Sequence, residues 1–286
     1  MAYKIGWFST GRDEAARDLL TTAYEAIQKG QIKGEIAFVF CNRERGEGEE
    51  SDRFIDLVRS YGLDLVCFSS RTFQPKMRRE GLRESKRLGR DSDTLREWRI
   101  LYDREVMKRL DAYGADLNVL SGYMLVLGDE MCRKYDVINL HPAAPGGPKG
   151  TWQEVIWQLI EQRATSTGVM MHLVTEALDE GPLIAYCIFP IRGGDFDPLW
   201  ADMERKLATK SLAQIAREEG ENEPLFREIR RRGVIRELPL IVQTVAAFAD
   251  GRIQIENRQV IAEGKVQDRG YDLTAEIDRI VETNRE

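Results

Sequence analysis

Histidine is the side chain whose ordinary pKa, about 6.5, lies closest to neutral pH, and this chain has only two, His141 and His172. His141 stands two residues after Asn139 in Val-Ile-Asn-Leu-His-Pro (137–142). If that run is a strand, the amide and the imidazole project to the same side. Together they can hydrogen-bond a developing negative charge and handle a proton. The same pattern also suits a histidine packed beside Pro142 that caps the following turn. A further polar signal is Asp179, in Thr-Glu-Ala-Leu-Asp-Glu-Gly-Pro (175–182), where Gly181-Pro182 forces a tight bend. Read by itself, Asp179 is a turn residue bonding its own backbone, and Glu180 is a solvated carboxylate.

These residues need a scaffold, and the hydrophobic periodicity describes one. Short apolar runs at 3–8, 35–41 and 64–68 alternate with amphipathic stretches at 13–28 and 51–61. After a lapse between 71 and 96, a helical pattern spans 98–113, with further strands expected at 115–121 and 136–140 and a short helix at 128–134. Alternation of this kind, with strands apolar on both faces, predicts an α/β fold. We expect a Rossmann-like, doubly wound, mostly parallel sheet flanked by helices. In such sheets ligands bind beyond the carboxyl ends of the strands, which is where Asn139 and His141 fall. A Pro/Gly-rich loop (141–151) leads into a helix at 152–162, followed by apolar runs at 167–174 and 183–190. The region 196–236 is charged and helical with a polar break at 219–223. An apolar helix (238–249) and a small hairpin on either side of Glu256-Asn257-Arg258 complete the chain. The reading is one domain, 1–286, with additions near 74–97 and 203–236 and a C-terminal helix and hairpin at 238–264.

Composition narrows the function. The chain has 286 residues and a formal charge of −6, and no stretch approaches the roughly 18 apolar residues of a membrane span. The start, MAYKIGWFST, carries no secretory signal pattern, and four scattered cysteines (Cys41, Cys67, Cys132, Cys187) form no metal or redox motif. A reduced cytoplasmic protein with no metal, no membrane partner and no nucleic-acid partner is expected. The segment 76–90 has seven basic residues against two acidic. Without interleaved aromatics it reads as a solvated helical excursion rather than a nucleic-acid patch.

Three segments in order, SGYMLVL (121–127), VINLHP (137–142) and MHLVTEALDEGPLI (171–184), together with FADGRIQIEN (248–257), resemble the folate-dependent formyltransferase family, most of all its glycinamide ribonucleotide branch. The resemblance covers nearly the whole chain. It implies formyl transfer from 10-formyltetrahydrofolate to a primary amine, with glycinamide ribonucleotide the best-named acceptor and purine biosynthesis the setting. By the same resemblance Asn139, His141 and Asp179 form the catalytic trio, with a protonated His141 favoured by Asp179. Met124, Leu125, Val126 and Leu127 with Val174, Thr175 and Asp179 hold the folate. His172 aligns with a histidine near the amine, and it reads equally as an inward strand histidine satisfied by a neighbour.

The acceptor side departs from the family. Its ribonucleotide enzymes hold phosphate with Gly-x-Gly-Ser-Asn after the first strand, whereas this chain has Ser9-Thr10-Gly11-Arg12-Asp13-Glu14. Gly11, Arg12 and Lys149 are the candidate acceptor contacts. The carboxylate that the family sets on ribose hydroxyls has no counterpart in the aligned Gly233-Val234-Ile235. Another amine (an amino sugar or amino acid derivative) is the rival acceptor, 10-formyltetrahydrofolate hydrolysis the rival reaction, and a folate-binding protein without activity the non-enzyme reading. Homo-oligomerisation is compatible with the sequence and not specified by it.

Overall fold

The computed structural model describes residues 2–176 and 179–283. Ala177 and Leu178, just before Asp179, lie outside the described residues. The chain runs through strand β1 (Tyr3–Ser9), helix α1 (Glu14–Gln28), β2 (Gly34–Cys41), α2 (Glu49–Ser60) and β3 (Leu65–Cys67). Helices α3 (Pro75–Leu88) and α4 (Asp93–Leu110) precede β4 (Leu117–Leu120), α5 (Asp129–Lys134), β5 (Val137–His141) and α6 (Trp152–Glu161). Next come β6 (Ser166–Leu173), β7 (Leu183–Pro190), α7 (Phe196–Leu207), α8 (Leu212–Glu218), a 3-10 turn (Gly220–Asn222) and α9 (Pro224–Ala249). Strands β8 (Ile253–Glu256), β9 (Gln259–Ala262), β10 (Lys265–Val266) and β11 (Tyr271–Asp272) lead to helix α10 (Thr274–Thr283).

Eight strands form one sheet in the order β11-β7-β6-β5-β4-β1-β2-β3. Strands β1 to β5 pair in parallel, whereas β6 is antiparallel to both β5 and β7. The chain winds outward from β1 to β3, then returns to place β4 on the other side of β1. The crevice where the winding reverses therefore opens beyond the carboxyl ends of β1 and β4. Period-two alternation sorts the core. Ile5 and Trp7 pack with α1, α2 and the C-terminal half of α9 on one face, while Phe8, Phe38 and Phe40 pack with α4 and α5 on the other. A third cluster joins α6, α7, α8 and the start of α9 through residues such as Trp200 and Phe226.

Two expectations change in detail. The lapse between 71 and 96 contains α3, which packs against α4 so closely that a Cβ on Gly81 would lie 2.8 Å from the Leu95 backbone. The apolar helix expected to start at 238 is the second half of α9, a single 26-residue helix that runs through Pro239. An interior proline costs about 3 kcal/mol. Burial of Leu240, Ile241, Val245 and Phe248 offsets it, each such side chain contributing roughly 1.5–3 kcal/mol. The C-terminal hairpin forms as expected, with Asn257 and Arg258 both left-handed in its two-residue turn, and β10 adds a third strand.

Candidate active site

Strand register brings three of the polar residues together. In the antiparallel pair β5–β6, Asn139 is directly opposite His172, so their side chains share a face, and His141 lies two residues further along that face. The Asn139 amide reaches Nε2 of His172 at 3.1 Å. Nδ1 of His172 donates to the Leu173 carbonyl at 3.1 Å, so Nε2 is the nitrogen that faces Asn139. His172 thus fixes the orientation of Asn139 and leaves the second amide N–H of that residue free to point elsewhere. Nε2 of His141 donates to the Pro148 carbonyl at 3.0 Å, so its acceptor nitrogen is Nδ1.

The fourth member arrives on the turn between β6 and β7. Leu173 N–H bonds the Pro182 carbonyl at 2.9 Å across its neck. Gly181 crosses so close to β6 that a Cβ there would sit 1.7 Å from the Leu173 carbonyl oxygen. Only glycine permits that crossing. Asp179 adopts a left-handed conformation (φ 54°), which aspartate tolerates better than most residues. Its carboxylate oxygens lie 3.6 Å from His141 Nδ1 and 3.6 Å from His172 Nε2, with its side chain 8% exposed.

Burial pulls the pKa of His141 below the ordinary value, against the upward effect of Asp179 and the Pro148 carbonyl, with His172 adding to the fall. Asp179 favours the imidazolium, as expected, but desolvation outweighs the carboxylate and the net direction is toward the neutral ring. Burial opposes ionisation of Asp179, but its contacts with His172, His141 and the Gly150 N–H prevail and lower its pKa.

These groups face a cavity of about 360 Å³, a size suited to a small-molecule ligand. Met124, Leu125, Val126 and Leu127 form one wall with Val174 and Thr175, as expected, and Arg12 and His172 also line it. Met124 is anchored by its N–H to Thr10 Oγ1 at 2.9 Å. Gly11 and Lys149 are not among the lining residues. The Gly11 N–H is taken by Ser9 Oγ at 3.1 Å, and Lys149 pairs with Glu180.

Among the lining residues that the sequence reading did not name are Arg230 and Glu237 on α9. They are seven apart, hence on one helical face, and Arg230 Nη1 donates to Glu237 Oε1 at 2.6 Å while stacking 4.5 Å over Trp152. The region aligned with the family's ribose carboxylate, Gly233-Val234-Ile235, offers none, and Glu237 stands two residues beyond it on the same helix. The i, i+7 charge pair was the available signal.

A family model described as formyl transferase matches residues 14–210. A phosphoribosylglycinamide formyltransferase of Escherichia coli (strain K12) is 31% identical over 255 residues, 88% of this chain and 92% of that protein. Its counterpart in Schizosaccharomyces pombe is 35% identical over 185 residues, 62% of this chain and 79% of that protein. Among solved structures, a phosphoribosylglycinamide formyltransferase from Coxiella burnetii gives a TM-score of 0.64 at 20% identity, covering 95% of this chain and 99% of that one. A formyltetrahydrofolate deformylase from Pseudomonas syringae gives 0.59 at 17%, covering 92% and 66%. At those identities the structural matches establish the fold, while the sequence matches go further: the chain is an enzyme of the folate-dependent formyl transferase family.

Proposed function

We propose that the protein transfers the formyl group of 10-formyltetrahydrofolate to a primary amine. The observation that carries this reading is the convergence of Asn139, His141 and Asp179, from two separate parts of the chain, beside one cavity with an apolar wall at 124–127. The wall, with Val174, Thr175 and Asp179, suits a flat heterocycle, and the backbone groups of 124–127 need no particular side chain to bond it. Residue 125 is accordingly free to be leucine.

The amine nitrogen attacks the formyl carbon, forming a new C–N bond and a tetrahedral species with its charge on oxygen. The free N–H of Asn139 stabilises that oxyanion. The attacking amine must lose a proton and the leaving folate nitrogen must gain one. Neutral His141 takes the proton on Nδ1, where the Asp179 carboxylate stabilises the resulting imidazolium, and returns it to the leaving nitrogen as the old C–N bond breaks. The 3.6 Å gap exceeds a direct hydrogen bond but allows a bridging water to touch both groups. No covalent enzyme intermediate is required.

Glycinamide ribonucleotide is the acceptor supplied by the relatives' names, whereas the residues of this site call only for a primary amine. The test is transfer to an amine panel followed by mass gain of one formyl group. His141→Ala should lower kcat by about 10²–10⁴-fold with little change in folate affinity. Formate release that does not depend on an amine would replace transfer by hydrolysis.

A further inference from the structure

Resting on the formyl-transfer reading, we infer that the acceptor carries no phosphate: the acceptor end of the cavity is built for an uncharged, hydroxyl-bearing amine. A phosphate monoester needs either an open helix N-terminus or unpaired cations. Neither is offered. The N-terminus of α1, beside the cavity, is capped by the chain's own carboxylate, Asp13 Oδ1 accepting from the Ala16 N–H at 3.0 Å. The neighbouring N–H groups of Thr10 and Gly11 are bonded to the Gly122 carbonyl and Ser9 Oγ, both at 3.1 Å. A phosphate placed there would meet a carboxylate where the helix dipole should attract it.

The cations are equally committed. Arg12 donates to Gln153 Oε1 at 3.0 Å and lies 3.7 Å from Asp13, while Arg230 is held by Glu237 and the Trp152 ring. Among the described lining residues, these two guanidiniums face four carboxylates, Asp13, Glu154, Asp179 and Glu237. A dianion would therefore enter a site already negative. Hydroxyl groups suit it better. Glu237, which uses one carboxylate oxygen on Arg230, lines the same cavity as His141 and has two acceptor oxygens for such groups.

The experiment compares glycinamide ribonucleotide with its phosphate-free ribonucleoside, and glucosamine as an amino sugar, using the full chain and 10-formyltetrahydrofolate. The expected result is a kcat/KM for the ribonucleoside at least tenfold above that of the ribonucleotide. Asp13→Asn, which keeps the N-cap and removes the charge, should narrow that ratio about tenfold. A ribonucleotide preference of tenfold or more would overturn the inference and leave formyl transfer standing. Should no amine be formylated, the transfer reading fails instead, and binding still decides the acceptor question. Weaker NMR-detected binding of ribose 5-phosphate than of ribose supports the inference, and stronger binding overturns it.

Discussion

The carboxylate of Asp179 lies 3.6 Å from Nδ1 of His141, and both side chains are almost fully buried. In this setting the carboxylate acts chiefly on the protonated form of the ring, raising a pKa that burial lowers. Asp179→Asn should therefore reduce kcat by roughly 10²-fold or more and move the His141 pKa still further down. An NMR titration of the imidazole alongside steady-state rates would check both. Lost folding with normal specific activity in the remaining folded fraction would return Asp179 to the role of a turn residue.

The depressed pKa of His141 has two consequences for pH. As a base it is active when neutral, so kcat/KM should rise with pH through a value below 6.5 and be level at pH 7. For stability, the unfolded chain holds the proton more tightly than the native state does. The contribution of neutral His141 is thus present above about pH 6.5 and is lost as pH falls through the native value. Urea unfolding of wild type and His141→Asn between pH 4 and 8 should show wild type losing stability relative to the variant on the acid side. An unchanged difference across that range would contradict the buried neutral ring.

Gly181 gives an independent handle on the same carboxylate. Because a Cβ would meet the Leu173 carbonyl oxygen at 1.7 Å, Gly181→Ala must push the 179–182 turn away from β6. Asp179, two residues earlier, moves with it. We expect kcat to fall as in Asp179→Asn, with a loss of about 1–3 kcal/mol in stability, typical of backbone strain. Near-normal kcat in this variant would mean that the position of the carboxylate matters little.

How much of this was legible in the sequence depended on whether the signal was local. The Asn139–His141 spacing and the strand alternation around it were readable because a strand has a fixed period and a buried strand has a recognisable composition. Asp179 could be placed only through the family resemblance, since a polar residue before Gly-Pro is by itself an ordinary turn. The Asn139–His172 bond was not legible at all. It depends on the register of β5 against β6, and nothing in either strand's own pattern fixes which residues stand opposite. Glu237 was missed for a different reason. It lies between the charged helical pattern ending at 236 and the apolar one starting at 238, which the structure joins in the single helix α9 through Pro239.

The last prediction concerns Asp103, a buried residue on α4 whose Oδ2 accepts the Gly128 N–H at 2.5 Å. Gly128 follows directly on the apolar wall at 124–127, so this bond ties that wall to the helix behind it. Burial raises the Asp103 carboxyl to about 7, against the lowering effects of the Gly128 N–H and Arg99. Because the native value lies above the unfolded one, the group's contribution is full below pH ~4 and disappears as pH rises through about 7. Asp103→Asn keeps an acceptor for Gly128 and cannot ionise. Wild type should therefore lose roughly 3–5 kcal/mol relative to this variant between pH 4 and 8, at 1.36 kcal/mol for each pKa unit. Asp103→Ala, which removes the acceptor, should raise KM for the folate with kcat nearly unchanged, because it disturbs the wall and leaves His141 in place. Equal KM values for wild type and Asp103→Ala would separate this buried carboxyl from the folate wall.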